Sequence, residues 1–197
     1  MYQTAVIDNA SLVYLSHLHK TKPIFDSLKN LFSTIYFPLE VVREYAIGAV
    51  KEPHREWILE RLNPEQGFYS HCSSYDSITL SMVTDFNGID KGEAEAYAQL
   101  RKVNANFIIS DDKQFISALN KLDRNIKIYT ILHLICWLDQ LKLILDWNSL
   151  IKDLYIVRKI KSNELIKAYK EVAEKFSLDI NKKILSERCS LSKILNN

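Results

Sequence analysis

The chain has 197 residues, enough to bury a proper core as one domain with an appended helical segment. Its 47% hydrophobic and 25% charged residues are ordinary for a globular protein in water, which argues against a fibrous or low-complexity chain. The net charge of +2 looks neutral but is unevenly spread: residues 158–197 carry ten Lys/Arg against five Asp/Glu, and the remainder sixteen against nineteen.

In chain order, residues 3–8 alternate too little for a half-exposed strand and predict a buried one. Asn9-Ala10-Ser11 then opens a helix running to about His19, with Leu12, Leu15 and Leu18 on one face. A second helix fits 23–32, and Ser33 to Phe37 is strand-like. Pro38 introduces a helix at 39–50. Helices at 53–62 and 76–86 follow, with a short strand at 67–70 between them. A turn from Gly88 to Gly92 leads into a helix of about 92–104, then strand 106–110, helix 113–121, strand 126–129 and helix 130–140. Strands alternating with helices predict an α/β fold, a three-layer α/β/α sandwich on a parallel sheet. Beyond residue 145 only helical spacing remains, over 162–176 and 179–195. The expected organisation is therefore a domain at 1–145 and a helical extension at 146–197.

Cys72, Cys136 and Cys189 are odd in number, widely spaced and in no CxxC pair, which points to a reducing compartment without a disulfide frame or zinc site. No basic region followed by a long apolar stretch opens the chain, so no signal peptide is expected. The apolar run from Ile128 to Leu145 is interrupted by His133, Asp139, Gln140 and Lys142, so no membrane span is expected either. The expected location is the cytoplasm. The basic carboxyl-terminal stretch has two readings, a surface that steers a polyanion or a solvated lysine-rich helix face.

Four acidic clusters carry the chemistry. Asp8 ends the run Thr4-Ala5-Val6-Ile7, and Glu44 follows Val41-Val42-Arg43. Glu93 lies in Gly92-Glu93-Ala94-Glu95-Ala96, and Asp111-Asp112 follow Phe107-Ile108-Ile109-Ser110. Ligands gather outside the carboxyl ends of parallel strands, where Asp8 and the Asp111-Asp112 pair are expected. Carboxylates brought together there repel one another unless a cation joins them. Hard oxygen donors from distant segments suit Mg²⁺ or Mn²⁺, ions that commonly serve phosphodiester chemistry.

Each acid also has an ordinary reading. Asp8 can cap a helix, Glu44 can be a surface glutamate, Glu93 can favour a helix macrodipole, and one of Asp111 and Asp112 can be a cap. Glu95, two residues beyond Glu93, is expected to face solvent. His17 and His19 are better explained by carbonyl capping than by metal binding. Lys91 reads as an exposed turn lysine, and Trp57, Trp137, Trp147, Tyr155 and Tyr169 read as core.

In the order and spacing of the four motifs, over roughly residues 3–140, the chain resembles the PIN-domain family of metal-dependent nucleases. The Gly-Glu-Ala-Glu-Ala helix start with a later Ser-Asp-Asp is closest to a subgroup related to VapC-type toxins. Two positions depart from the classical toxin pattern: the third acid is Glu93, and Gln114 stands where a further acid often follows. The resemblance implies that Asp8, Glu44, Glu93 and Asp112 or Asp111 hold one or two divalent ions. These ions would activate water for in-line attack on phosphorus and neutralise charge on the leaving oxygen. Asn9, Ser11 and Ser110 would orient those ligands.

The expected function is thus a metal-dependent endoribonuclease, the toxin of a toxin–antitoxin pair or a related defence nuclease. RNA would be its substrate, with an antitoxin protein and a second copy of the chain as partners and no membrane role. The alternatives are a catalytically silent PIN-like domain that binds RNA or protein, and a phosphatase or receiver-like enzyme using Asp8 as phosphoryl acceptor. The latter is disfavoured because no Asp-x-Asp follows the first strand.

Overall fold

Gln3-Thr4-Ala5-Val6-Ile7 forms the central strand β1 (Gln3–Ile7) of a parallel sheet in the computed structural model, which describes residues 3–18, 21–48, 54–62, 69–72, 75–144, 146–178 and 182–196. Among these residues the sheet has five strands in the order β3-β2-β1-β4-β5, all parallel. The others are β2 (Phe32–Pro38), β3 (Tyr69–Cys72), β4 (Phe107–Ile109) and β5 (Ile128–Tyr129). The predicted strand at 67–70 corresponds to β3, its first two residues lying outside the described set.

The chain moves outward from β1 through β2 to β3, then crosses back to β4 on the other side of β1. Where the winding reverses, the connections leaving neighbouring strands diverge and open a crevice at their carboxyl ends. That point lies between β1 and β4. Ile7 pairs with Ile109 there, and the Asp8 amide donates to the Ile109 carbonyl at 3.0 Å, so Asp8 and Ser110 emerge side by side.

Alternation along β1 builds the two outer layers. Ala5 and Ile7 share one core with residues of α1 (Asn9–His17), α2 (Thr21–Ser27), α8 (Ile131–Gln140), α9 (Trp147–Arg158) and α10 (Ser162–Phe176). Val6 and Ile108 face a second core with α5 (Ser77–Thr84), α6 (Lys91–Lys102) and α7 (Lys113–Leu122). The α/β/α sandwich read from the sequence is the fold observed. Helices α3 (Leu39–Ile47) and α4 (Arg55–Arg61) lie between β2 and β3 in the chain.

Helices beyond residue 145 enter the first core directly: Leu150, Leu154, Leu165 and Tyr169 are buried with Leu12 and Leu15 of α1. Two sequence expectations are corrected in the helices. The helix predicted at 23–32 is α2 followed by a tight turn at Leu28–Asn30, with β2 beginning at Phe32. The helix predicted at 179–195 is two, α11 (Lys182–Arg188) and α12 (Leu191–Asn196), with residues 179–181 outside the described set. The break has a partner: the Trp147 indole donates to the Arg188 carbonyl at 2.9 Å, while the Ser190 carbonyl starts α12 by accepting from Lys193 and Ile194. Among the described residues, no helix is long and apolar enough to cross a membrane.

Candidate active site

Asp8 both ends β1 and caps α1. Its Oδ1 accepts from the Ser11 amide at 2.8 Å, and its Oδ2 accepts from the Ser110 hydroxyl at the end of β4. Only 2% of Asp8 is exposed. Burial pushes its pKa from 3.8 up to about 7, against the lowering effect of Ser110 and Ser11 and with a smaller contribution from the charge of Asp111.

Asp112 opens α7, its Oδ1 accepting from the amides of Gln114 at 2.7 Å and Phe115 at 2.9 Å. Its own amide donates to Ser110 Oγ at 3.2 Å, so this one hydroxyl spans the Asp8 carboxylate and the Asp112 backbone. Both aspartates have the capping roles open to them, and those roles aim their carboxylates along the strand ends.

Glu93 forms a capping box with Asp90: the Asp90 amide donates to Glu93 Oε2 at 2.9 Å and the Glu93 amide to Asp90 Oδ1 at 2.8 Å. Burial raises the Glu93 pKa to about 7, and the charges of Asp90, Asp112 and Asp8 add to the shift. Glu44, on α3, is likewise raised by burial first, then by Asp90 and Glu40, while a hydrogen bond from Asn9 opposes the shift. A Cβ on Gly92 would stand 2.7 Å from Glu44 Oε1, so the absence of a side chain there lets Glu44 reach the start of α6.

Asp8, Glu44, Glu93 and Asp112 line one cleft of about 160 Å³, together with Asn9, Ala10, Val41, Gly92 and a fifth acid, Asp90. Asp90 was not singled out in the sequence; its signal was the Asp-x-x-Glu capping spacing with Glu93. Asp111 stands apart from this group. Its Oδ1 lies 3.1 Å from Arg158 Nε of α9, and its Oδ2 accepts from Ser11 Oγ at 3.1 Å and the Ile131 amide at 2.9 Å. Ser11 thus ties Asp8 to Asp111 rather than facing the cleft. Lys91 and Arg43 both lie against Glu40, at 3.2 and 3.3 Å.

Glu95 is a correction. It is 7% exposed rather than solvent-facing, because it turns toward α3, where its carboxylate accepts from the Glu40 amide and from the Tyr75 hydroxyl.

The chemistry of the donors fits a hard divalent cation: carboxylate oxygens from four separate segments face one cleft, and Asn9 Oδ1 is buried beside them without a hydrogen-bond partner. The acids surround the cleft and are not closed on a point, since among the described residues no three His, Cys, Asp or Glu side chains are gathered tightly enough to hold an ion. The fit is therefore one of donor type and location.

A search of curated proteins finds no match to the chain. The family model DUF3368, described as a PIN domain, matches residues 4–175, from the start of β1 to the last turn of α10. PIN domains are in general nucleases, and typically use divalent metals. The match spans most of the sequence, and the chain belongs to the PIN-domain family.

Proposed function

We propose that this protein is a metal-dependent endoribonuclease that hydrolyses phosphodiester bonds of RNA, with Asp8, Glu44, Glu93 and Asp112 holding Mg²⁺ or Mn²⁺. The observation that carries the reading is the convergence of these four acids, with Asp90, on one cleft at the reversal of the sheet. Two of them have pKa values of about 7 without a cation. A bound divalent ion supplies neutralising charge and a water of lowered pKa.

The chain's own groups do the positioning. Ser110 and the Ser11 amide fix both oxygens of Asp8, so its orientation survives deprotonation. Asp112 uses Oδ1 for its cap and leaves Oδ2 for the cleft. Asp111 is assigned to the Arg158 pair and not to the ligand set. Asn9, against Glu44, and Ser110, against Asp8, are the supporting groups. The VapC-like residue pattern supports a biological setting in a toxin–antitoxin pair or a related defence system, with an antitoxin and a second copy as partners.

The test is cleavage of single-stranded RNA by the purified protein with Mg²⁺ or Mn²⁺ and its arrest by EDTA. Asp8→Asn is expected to abolish cleavage while the protein stays folded. Metal-independent cleavage, or a variant as active as wild type, overturns the reading; cleavage of DNA but not RNA overturns the substrate assignment alone.

A further inference from the structure

The first amides of a helix need acceptors, and α3 cannot obtain one from Pro38, which makes no side-chain cap. Its acceptors come from other elements. The Leu39 amide donates to the Tyr75 hydroxyl oxygen at 3.2 Å, and the Glu40 amide donates to Glu95 Oε2 at 3.0 Å. The Tyr75 hydroxyl donates to that same Glu95 oxygen at 2.7 Å. One carboxylate oxygen on α6 therefore holds two successive amides of α3, one directly and one through a phenol. A negative charge at this end also suits the helix dipole.

Glu44 follows one turn later on α3, and Gly92, where a Cβ would come within 2.7 Å of the Glu44 carboxylate, precedes Glu95 by one turn on α6. The helices are thus joined by the cap at one level, and at the next the Glu44 carboxylate of α3 lies against the bare Gly92 of α6. Glu93, beside Gly92, faces the same cleft as Glu44. An exposed Lys91–Glu40 ion pair at 3.2 Å adds a weaker link between the same two turns.

We infer that Glu95 is a positioning residue: by capping α3 from α6 it sets where Glu44 stands relative to Glu93 in the ligand set. The inference rests on the nuclease reading for the ligand roles of those two acids, while the cap itself is a matter of geometry. Loss of a group that orients a metal ligand typically weakens metal binding or activity about 10–100-fold.

The test uses the full chain and the variants Glu95→Ala, Glu95→Gln and Tyr75→Phe. Mn²⁺ affinity is read by electron paramagnetic resonance, RNA cleavage is titrated with Mn²⁺, and exchange of the Leu39 and Glu40 amides is followed by NMR. Glu95→Ala is expected to weaken Mn²⁺ binding about 10-fold or more, to raise the Mn²⁺ needed for half-maximal cleavage in parallel, and to speed exchange of both amides. At saturating Mn²⁺ its cleavage rate should fall much less. Glu95→Gln keeps an acceptor oxygen and should restore most of the affinity; Tyr75→Phe should free mainly the Leu39 amide, with a smaller loss of affinity. A Glu95→Ala protein with unchanged Mn²⁺ affinity overturns the inference and leaves the nuclease reading standing. So does a uniform loss of stability and rate that Glu95→Gln does not repair. Should Glu95→Ala fail to fold, Tyr75→Phe decides, and its freed Leu39 amide with undiminished affinity counts against the inference. Wild type that neither binds Mn²⁺ nor cuts RNA overturns the nuclease reading, and this assignment with it.

Discussion

Arg158 Nε lies 3.1 Å from Asp111 Oδ1, so a residue at the end of α9 neutralises the carboxylate beside the candidate ligand Asp112. The Asp111 side chain is completely buried and that of Arg158 is 15% exposed. Breaking such a pair leaves an uncompensated buried charge, a loss of about 3–5 kcal/mol. Burial already holds the Asp111 pKa above its usual value despite Arg158, so protonation limits the cost. Arg158→Ala should therefore unfold at lower urea at pH 7.5 and recover part of the difference at acidic pH, where Asp111 takes a proton. Asp111→Asn in the Arg158→Ala background should restore stability, giving a non-additive double-mutant cycle. Additive losses would show that the pair contributes nothing.

Much of this arrangement could be read from residue order. The alternation of strands and helices gave the sheet, and strand ends placed Asp8 and Asp112 where ligands gather. Glu44 and Glu93 stand out in residue order as acidic clusters, but only the resemblance gives them a ligand role, since each alone is an ordinary helix acid. The direction of Asp111 was not legible, because it depends on Arg158, 47 positions later and in a segment whose spacing indicates only a helix. Glu95 misled for a related reason: helical periodicity says that it turns away from Glu93, but not that α3 and Tyr75 cover that side. Facing direction is local information; what lies opposite is not.

Asp8 makes the metal-free protein sensitive to pH. Its folded pKa of about 7 exceeds its ordinary value of 3.8, so between these values the folded state binds more protons than the unfolded state. Stability is then greatest below about pH 4 as far as this group is concerned, and falls as pH rises toward 7. The displacement corresponds to on the order of 4 kcal/mol. Glu93 acts in the same direction with a smaller, solvent-screened effect. In EDTA, the melting temperature of Asp8→Asn should exceed that of wild type at pH 7.5, and the gap should close toward pH 4.5. A gap independent of pH would contradict the raised pKa.

The adjacent aspartates should separate in a metal titration. Asp112 lines the cleft, whereas Asp111 is bound to Arg158, Ser11 and Ile131. Wild type should gain melting temperature on adding Mn²⁺, by an amount that grows from pH 5.5 to 7.5 as the ion ceases to compete with protons. Asp112→Asn should lose most of that gain with little change in metal-free stability. Asp111→Asn should lower metal-free stability and keep the gain. The opposite assignment would follow if Asp111→Asn alone abolished the response to Mn²⁺.

Gly92 offers the sharpest separation of site geometry from stability. Ala is a better helix former than Gly by up to about 1 kcal/mol, and residue 92 lies within α6, so the backbone favours Gly92→Ala. The added Cβ would sit 2.7 Å from Glu44 Oε1, closer than such atoms approach, and 3.0 Å from Oε2, a tight contact. These atoms are the end of a flexible side chain, so the carboxylate can swing away at little cost to the fold. The expected protein melts at or slightly above the wild-type temperature, binds Mn²⁺ about 10-fold or more weakly and cuts RNA correspondingly less. Gly92→Ser should behave alike, since it carries the same Cβ. Differential scanning calorimetry and a Mn²⁺ titration of the same preparations provide both numbers. Unchanged Mn²⁺ affinity in Gly92→Ala would mean that Glu44 need not approach α6 for the cleft to take its ion.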